Sequence, residues 1–123
     1  MTYVKTGILA VAAAAVGMIS LADGHAVLKA AGPAPGSVVN VAPKALRIQF
    51  NEAIEIGFSG MDITNEKGEK QPTGAATTNP TDKSQLIVPL NGTLAPGKYT
   101  VEWHAVGDDT HRTEGKYNFE VKP

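Results

Sequence analysis

The sequence predicts an all-β domain, an immunoglobulin-like Greek-key β-sandwich of about seven strands, preceded by a cleavable signal peptide. Three observations predict it. Apolar and polar residues alternate with a period of two over several short stretches, as in strands with one buried face. Glycine and proline recur between those stretches, and no helical periodicity appears. Leu94-Ala95-Pro96-Gly97-Lys98-Tyr99 has the form of a tyrosine corner, in which a Tyr near the start of a strand hydrogen-bonds back to the preceding loop.

Lys5 is a minimal positive start, and Gly7 to Leu21 is an apolar run. It spans about 15 residues, short of the roughly 20 a membrane-spanning helix needs. Ala22-Asp23-Gly24 then places small residues three before and one before a cut after Gly24. The expected division is a signal peptide at 1–24 and one folded domain at 25–123. That domain carries a net charge of −1, like the whole chain, and no basic stripe, so nucleic acid is not an expected partner. There is no cysteine. Disulfides and thiolate metal sites are therefore excluded, and a metal would need nitrogen, oxygen or thioether ligands.

The elements follow in order. Val27 to Ala31 reads as a first strand, closed by Gly32-Pro33-Ala34-Pro35-Gly36. Leu46, Ile48 and Phe50 alternate with Arg47, Gln49 and Asn51 in a second, with Glu52 at its end. Ile54 to Gly60 is expected as a shorter extended piece. Met61 and Ile63 mark the next strand, which turns at Asn65-Glu66-Lys67-Gly68. Gln71 to Asp82 is polar and is expected as a loop with at most a weak edge strand. Leu86 to Val88 is a strand stopped by Pro89. Tyr99, Val101, Trp103 and Ala105 share the inward face of the sixth strand, which makes Trp103 a core residue. His104 shares the opposite face and is expected in solvent. Val106 to Glu114 is a polar loop, and Tyr117, Phe119 and Val121 face inward from the last strand.

Strand parity makes a geometric prediction. If successive strands reverse, the start of the first, the end of the second and the end of the sixth share one pole. His25, Glu52, Asp109 and His111 would then converge. A mature N-terminal His25 offers its α-amine and ring Nδ1 as a six-membered chelate. Such an amine has a reference pKa near 7.7–8.0, against about 10.4 for lysine, so it deprotonates readily for coordination. His111 adds a third nitrogen, and Asp109 or Glu52 an anionic oxygen. Three nitrogens and one oxygen in a rough plane suit Cu(II) better than Zn(II). Taken singly, each residue also has a plain reading: a solvated loop histidine, a turn-capping aspartate, a strand-end glutamate.

Together these residues resemble the CopC family of periplasmic copper-binding proteins. The resemblance rests on His25, Pro33 to Gly36, Phe50-Asn51-Glu52, Tyr99 to Val106 and Asp109-Thr110-His111 in that order. It implies a non-enzymatic monomer in the periplasm holding one Cu(II) ion per chain, through the His25 amine and imidazole, His111 and Asp109. Glu52 would be a ligand or would orient the amine. It further implies copper sequestration, or delivery to an inner-membrane copper transport protein resembling CopD. Some members carry a Met-rich loop for Cu(I). Here Met61 is the single methionine beyond residue 24, and its place on a patterned strand makes it a core residue, so a single-site, Cu(II)-only form is expected. The competing readings are a metal-free structural or adhesive module, and a small copper oxidase with an amine–imidazole brace.

Overall fold

The computed structural model describes residues 26–123, so the expected signal peptide and His25 lie outside the described residues. Among the described residues, eight strands form two four-stranded sheets. In chain order they are β1 (Leu28–Gly32), β2 (Val38–Val39), β3 (Ala45–Phe50), β4 (Gly60–Asn65), β5 (Thr77–Asn79), β6 (Asp82–Pro89), β7 (Gly97–Val106) and β8 (Arg112–Val121). One sheet has the order β1-β3-β6-β5 and the other β2-β8-β7-β4. The predicted sandwich is thus present. No helix among the described residues is long and apolar enough to cross a membrane.

The two inner faces come from the period-two residues. Leu46, Ile48 and Phe50 of β3 and Leu86 and Val88 of β6 face Met61, Ile63, Tyr99, Val101, Ala105, Tyr117, Phe119 and Val121 of the opposing sheet, all buried. Removing this much apolar surface from water is the main stabilising term. Met61 is in the core, as its strand pattern predicts. Trp103 packs against the core half-buried, edge-on to Phe50 with ring centroids 5.4 Å apart. Its cross-strand partner is Gly115, where a Cβ would stand 2.8 Å from the indole Cζ2, so the missing side chain makes room for the ring.

The tyrosine corner is formed. The Tyr99 hydroxyl donates to the Ala95 carbonyl at 2.5 Å, and Gly97 sits at φ 146°, a value L side chains rarely adopt.

Three expectations need correction. Ile54 to Gly60 is not a strand: Ile54 makes a single bridge to Gly107, and Ile56–Phe58 is a 3₁₀ turn. Thr77–Asn79 is the short edge strand that the sequence allowed within the 71–82 loop, paired with β6. β6 begins at Asp82, well before Leu86, because its polar half finds partners within the sheet. Gln49 donates to Ser84 Oγ at 2.6 Å, and Asn79 donates to Gln85 at 3.0 Å. Ser84 donates to Asp82 through its hydroxyl and its backbone N–H, which lowers the Asp82 carboxyl pKa. Finally, β8 begins at Arg112, so the polar loop shrinks to residues 107–111. The short β2 runs parallel to β8 and extends the course of β1 onto the other sheet, without a reversal.

Candidate functional site

The end of β3, which carries Glu52, and the loop with Asp109 and His111 meet at one pole, as strand parity predicts for them; His25 lies outside the described residues. β7 ends and β8 begins at one pole of the sandwich, where β3 ends and β1 starts. The Thr113 hydroxyl donates to the Ala26 carbonyl at 2.8 Å, across 87 positions of sequence. The Val27 N–H donates to Asn51 Oδ1 at 2.7 Å, and the Asn51 N–H returns to the Val27 carbonyl at 3.1 Å. Ala26 is buried. The chain is therefore fixed to both sheets at its first described residue.

Glu52 leaves β3 and reaches the loop at 107–111. Its Oε1 accepts the Asp108 N–H at 3.0 Å. This approach depends on Gly107, where a Cβ would lie 2.6 Å from Glu52 Oε1 and 3.4 Å from the Ala26 Cβ. Gly107 thus lets the loop, the end of β3 and the start of the described chain meet.

The loop is wound tightly by its own groups. The Thr110 N–H donates to the Gly107 carbonyl at 3.0 Å, and the Gly107 N–H to the His111 carbonyl at 3.3 Å. Thr110 has φ 67°, the left-handed region. A β-branched residue there is strained, at a cost of order 1–3 kcal/mol. The strained turn brings Asp109 and His111 together. Asp109 Oδ1 accepts the His111 N–H at 3.1 Å, and Oδ2 lies 3.3 Å from His111 Nδ1. The His111 side chain is 66% exposed and that of Asp109 31%. A carboxylate beside a solvent-facing imidazole is a two-donor arrangement suited to a cation.

Of the predicted site residues, Glu52, Asp109 and His111 share the pole, and Glu52 is engaged by the loop backbone. His25 lies outside the described residues, next to the pinned Ala26. Among the described residues, no three His, Asp or Glu side chains are grouped closely enough to hold a metal ion. His104 faces outward but is half-buried, not solvated as expected. Its ring lies over Gly60, where a Cβ would be 3.3 Å from Cε1. Sequence reasoning missed three residues that build the pole: Asn51, Thr113 and Gly107. Asn51 adjoins Glu52 and Gly107 opens the Asp-x-His loop, so adjacency was a usable signal. Nothing local marks Thr113.

Comparison with known proteins agrees with this fold. Residues 28–122 match the family model described as CopC domain. Protein YobA of Escherichia coli strain K12 is 48% identical over 98 residues, covering 80% of this chain and 79% of that protein. Copper resistance protein C of Pseudomonas syringae pv. tomato is 32% identical over 123 residues, covering 96% and 97%. The crystal structure of CopC from Methylosinus trichosporium OB3b superposes with a TM-score of 0.75 at 29% identity, covering 80% of this chain and 95% of that one. The chain belongs to the CopC domain family.

Proposed function

We infer that this protein is a non-enzymatic Cu(II) carrier of the periplasm, exported by residues 1–24 and cleaved so that His25 leads the mature chain. It sequesters one copper ion or passes it to an inner-membrane copper transport protein. The supporting observation is the junction of the pinned Ala26, Glu52 and the Asp109–His111 pair at one pole. Asp109 and His111 are two donors, fewer than a copper site needs. A free amine and imidazole at residue 25 would supply the remainder, starting from a point that Thr113 and Asn51 hold still. His111 would coordinate through Nε2, because Nδ1 faces Asp109. Glu52 serves as the group that holds the loop, since its Oε1 already accepts the Asp108 N–H. The copper-resistance name of the Pseudomonas syringae relative supports the choice of metal.

The test is a Cu(II) titration of residues 25–123, followed by electron paramagnetic resonance, beside a variant with one extra residue before His25. The expected outcome is a single nitrogen-rich Cu(II) signal that the extension weakens by at least about 100-fold, which is about 2.7 kcal/mol. Equal binding by both forms overturns the assignment of the amine.

A further inference from the structure

The pole carries a second feature that metal binding does not use. Phe58 is 67% exposed and Ile56 39% exposed, both on the 3₁₀ turn Ile56–Phe58. The turn is firmly tied to the end of β7. The Glu55 N–H donates to the Val106 carbonyl at 2.8 Å. The buried Ser59 hydroxyl donates to the Glu55 carbonyl at 2.8 Å and accepts the Val106 N–H at 3.1 Å. A large aromatic ring left mostly in water gives the fold little burial energy, yet the turn that carries it is tied down by these bonds. Fixed, exposed aromatics are what interface anchors look like before the partner arrives.

Beside the ring runs a groove of about 400 Å³, lined by Glu55, Phe58, Val106, Gly107, Asp108 and Thr110. Its walls include the apolar Phe58 and Val106, with two carboxylates, Glu55 and Asp108, and no lysine or arginine among the described residues. The groove shares Gly107, Asp108 and Thr110 with the loop that bears Asp109 and His111. We propose that this groove is a docking surface for a partner protein that presents an apolar side chain flanked by lysine or arginine. Apolar contact with Phe58 would anchor it, and the two carboxylates would select the basic flank and speed encounter. That the partner exchanges copper here rests on the function proposed above: docking would bring it against the metal loop itself.

The test is a nitrogen-15 chemical-shift titration of residues 25–123, which contain the whole sandwich core. The probes are two peptides, acetyl-Lys-Leu-Phe-Leu-Lys-amide and acetyl-Glu-Leu-Phe-Leu-Glu-amide. The basic peptide is expected to perturb the amides of Glu55 to Ser59 and Val106 to Thr110, and to bind at least about tenfold tighter than the acidic one. Phe58→Ser should abolish these shifts, Glu55→Gln should weaken them, and neither should move Cu(II) affinity by more than about twofold. Several results overturn the proposal: no shifts up to millimolar peptide, equal binding of both peptides, or shifts centred elsewhere. A Phe58-dependent dimer in sedimentation does so too, since the occupant is then a second copy of this chain. Loss of the copper signal with peptide binding intact would overturn the copper reading alone.

Discussion

Gly107 and Glu52 are coupled in the clearest way on the molecule. A methyl group at 107 would press on the far end of the Glu52 side chain, at 2.6 Å from Oε1. Glu52 can swing away, at the cost of its hydrogen bond to the Asp108 N–H. Gly107→Ala and Glu52→Ala should therefore each destabilise the fold by only about 1 kcal/mol and loosen the loop. Because both remove the same hydrogen bond, the double variant should cost less than the sum. Urea unfolding of the four proteins checks this, and strict additivity would contradict it. Tyr117 makes an opposite case. Its hydroxyl is buried with no hydrogen-bond partner, and burial pushes its pKa up to about 12. Tyr117→Phe should raise stability at neutral pH by about 1 kcal/mol. An unfolded chain releases that proton near pH 10, whereas the folded one holds it until about 12. Titration of this group thus leaves stability unchanged below about pH 10 and lowers it as pH rises through that window. The Phe variant should lack this part of the alkaline loss in unfolding measured from pH 9 to 12. None of this was legible in the sequence. Tyr117 looks like any inward strand residue, and the closeness of Gly107 to Glu52 is set by tertiary approach.

At the scale of elements, legibility followed the strength of the alternation. β3, β4, β7 and β8 carry strong inward patterns, and each was found with its buried face correct. The stretch from 54 to 82 was misjudged at Ile54 to Gly60 and read only faintly at Thr77–Asn79. The polar Thr77–Asn79 edge has no alternation to show, because the half-exposed edge is held by pairing to β6. Ile54 to Gly60 has apolar residues, but Ile56 and Phe58 point to water from a turn. In the order of reversals the false strand at 54–60 stands in for the uncounted Thr77–Asn79 edge, and β2, which was not foreseen, adds a strand but no reversal. Parity therefore still placed Glu52 and the Asp109–His111 loop at one pole. The tyrosine corner was legible because its chemistry is local, with donor and acceptor four residues apart. Tyr99→Phe removes that hydrogen bond while keeping the ring stacked on Phe119, at 5.6 Å. The expected loss is about 1 kcal/mol in thermal or urea unfolding, with the β7 pairing unchanged. A loss below about 0.3 kcal/mol would show that the corner contributes little beyond packing.

For the molecule as a whole, the pole is a product of folding rather than of any segment. The ties that build it span 87 positions from Thr113 to Ala26 and 56 from Asp108 to Glu52. Cu(II) bound there should therefore favour the folded chain over the unfolded one, which keeps only the local His25 chelate, and so stabilise it. Free copper at 100 times its dissociation constant should add up to about 2.7 kcal/mol, seen as a raised unfolding midpoint. His111→Ala should lose most of that rise while keeping its metal-free midpoint nearly unchanged, since the side chain is largely exposed.

The bond from Thr113 to Ala26 also has a temporal meaning. A ribosome makes residue 26 well before residue 113, so the latch stays open until β8 has been made. A chain that stops short of residue 113 cannot make this bond. A closed latch thus certifies that β8 has arrived.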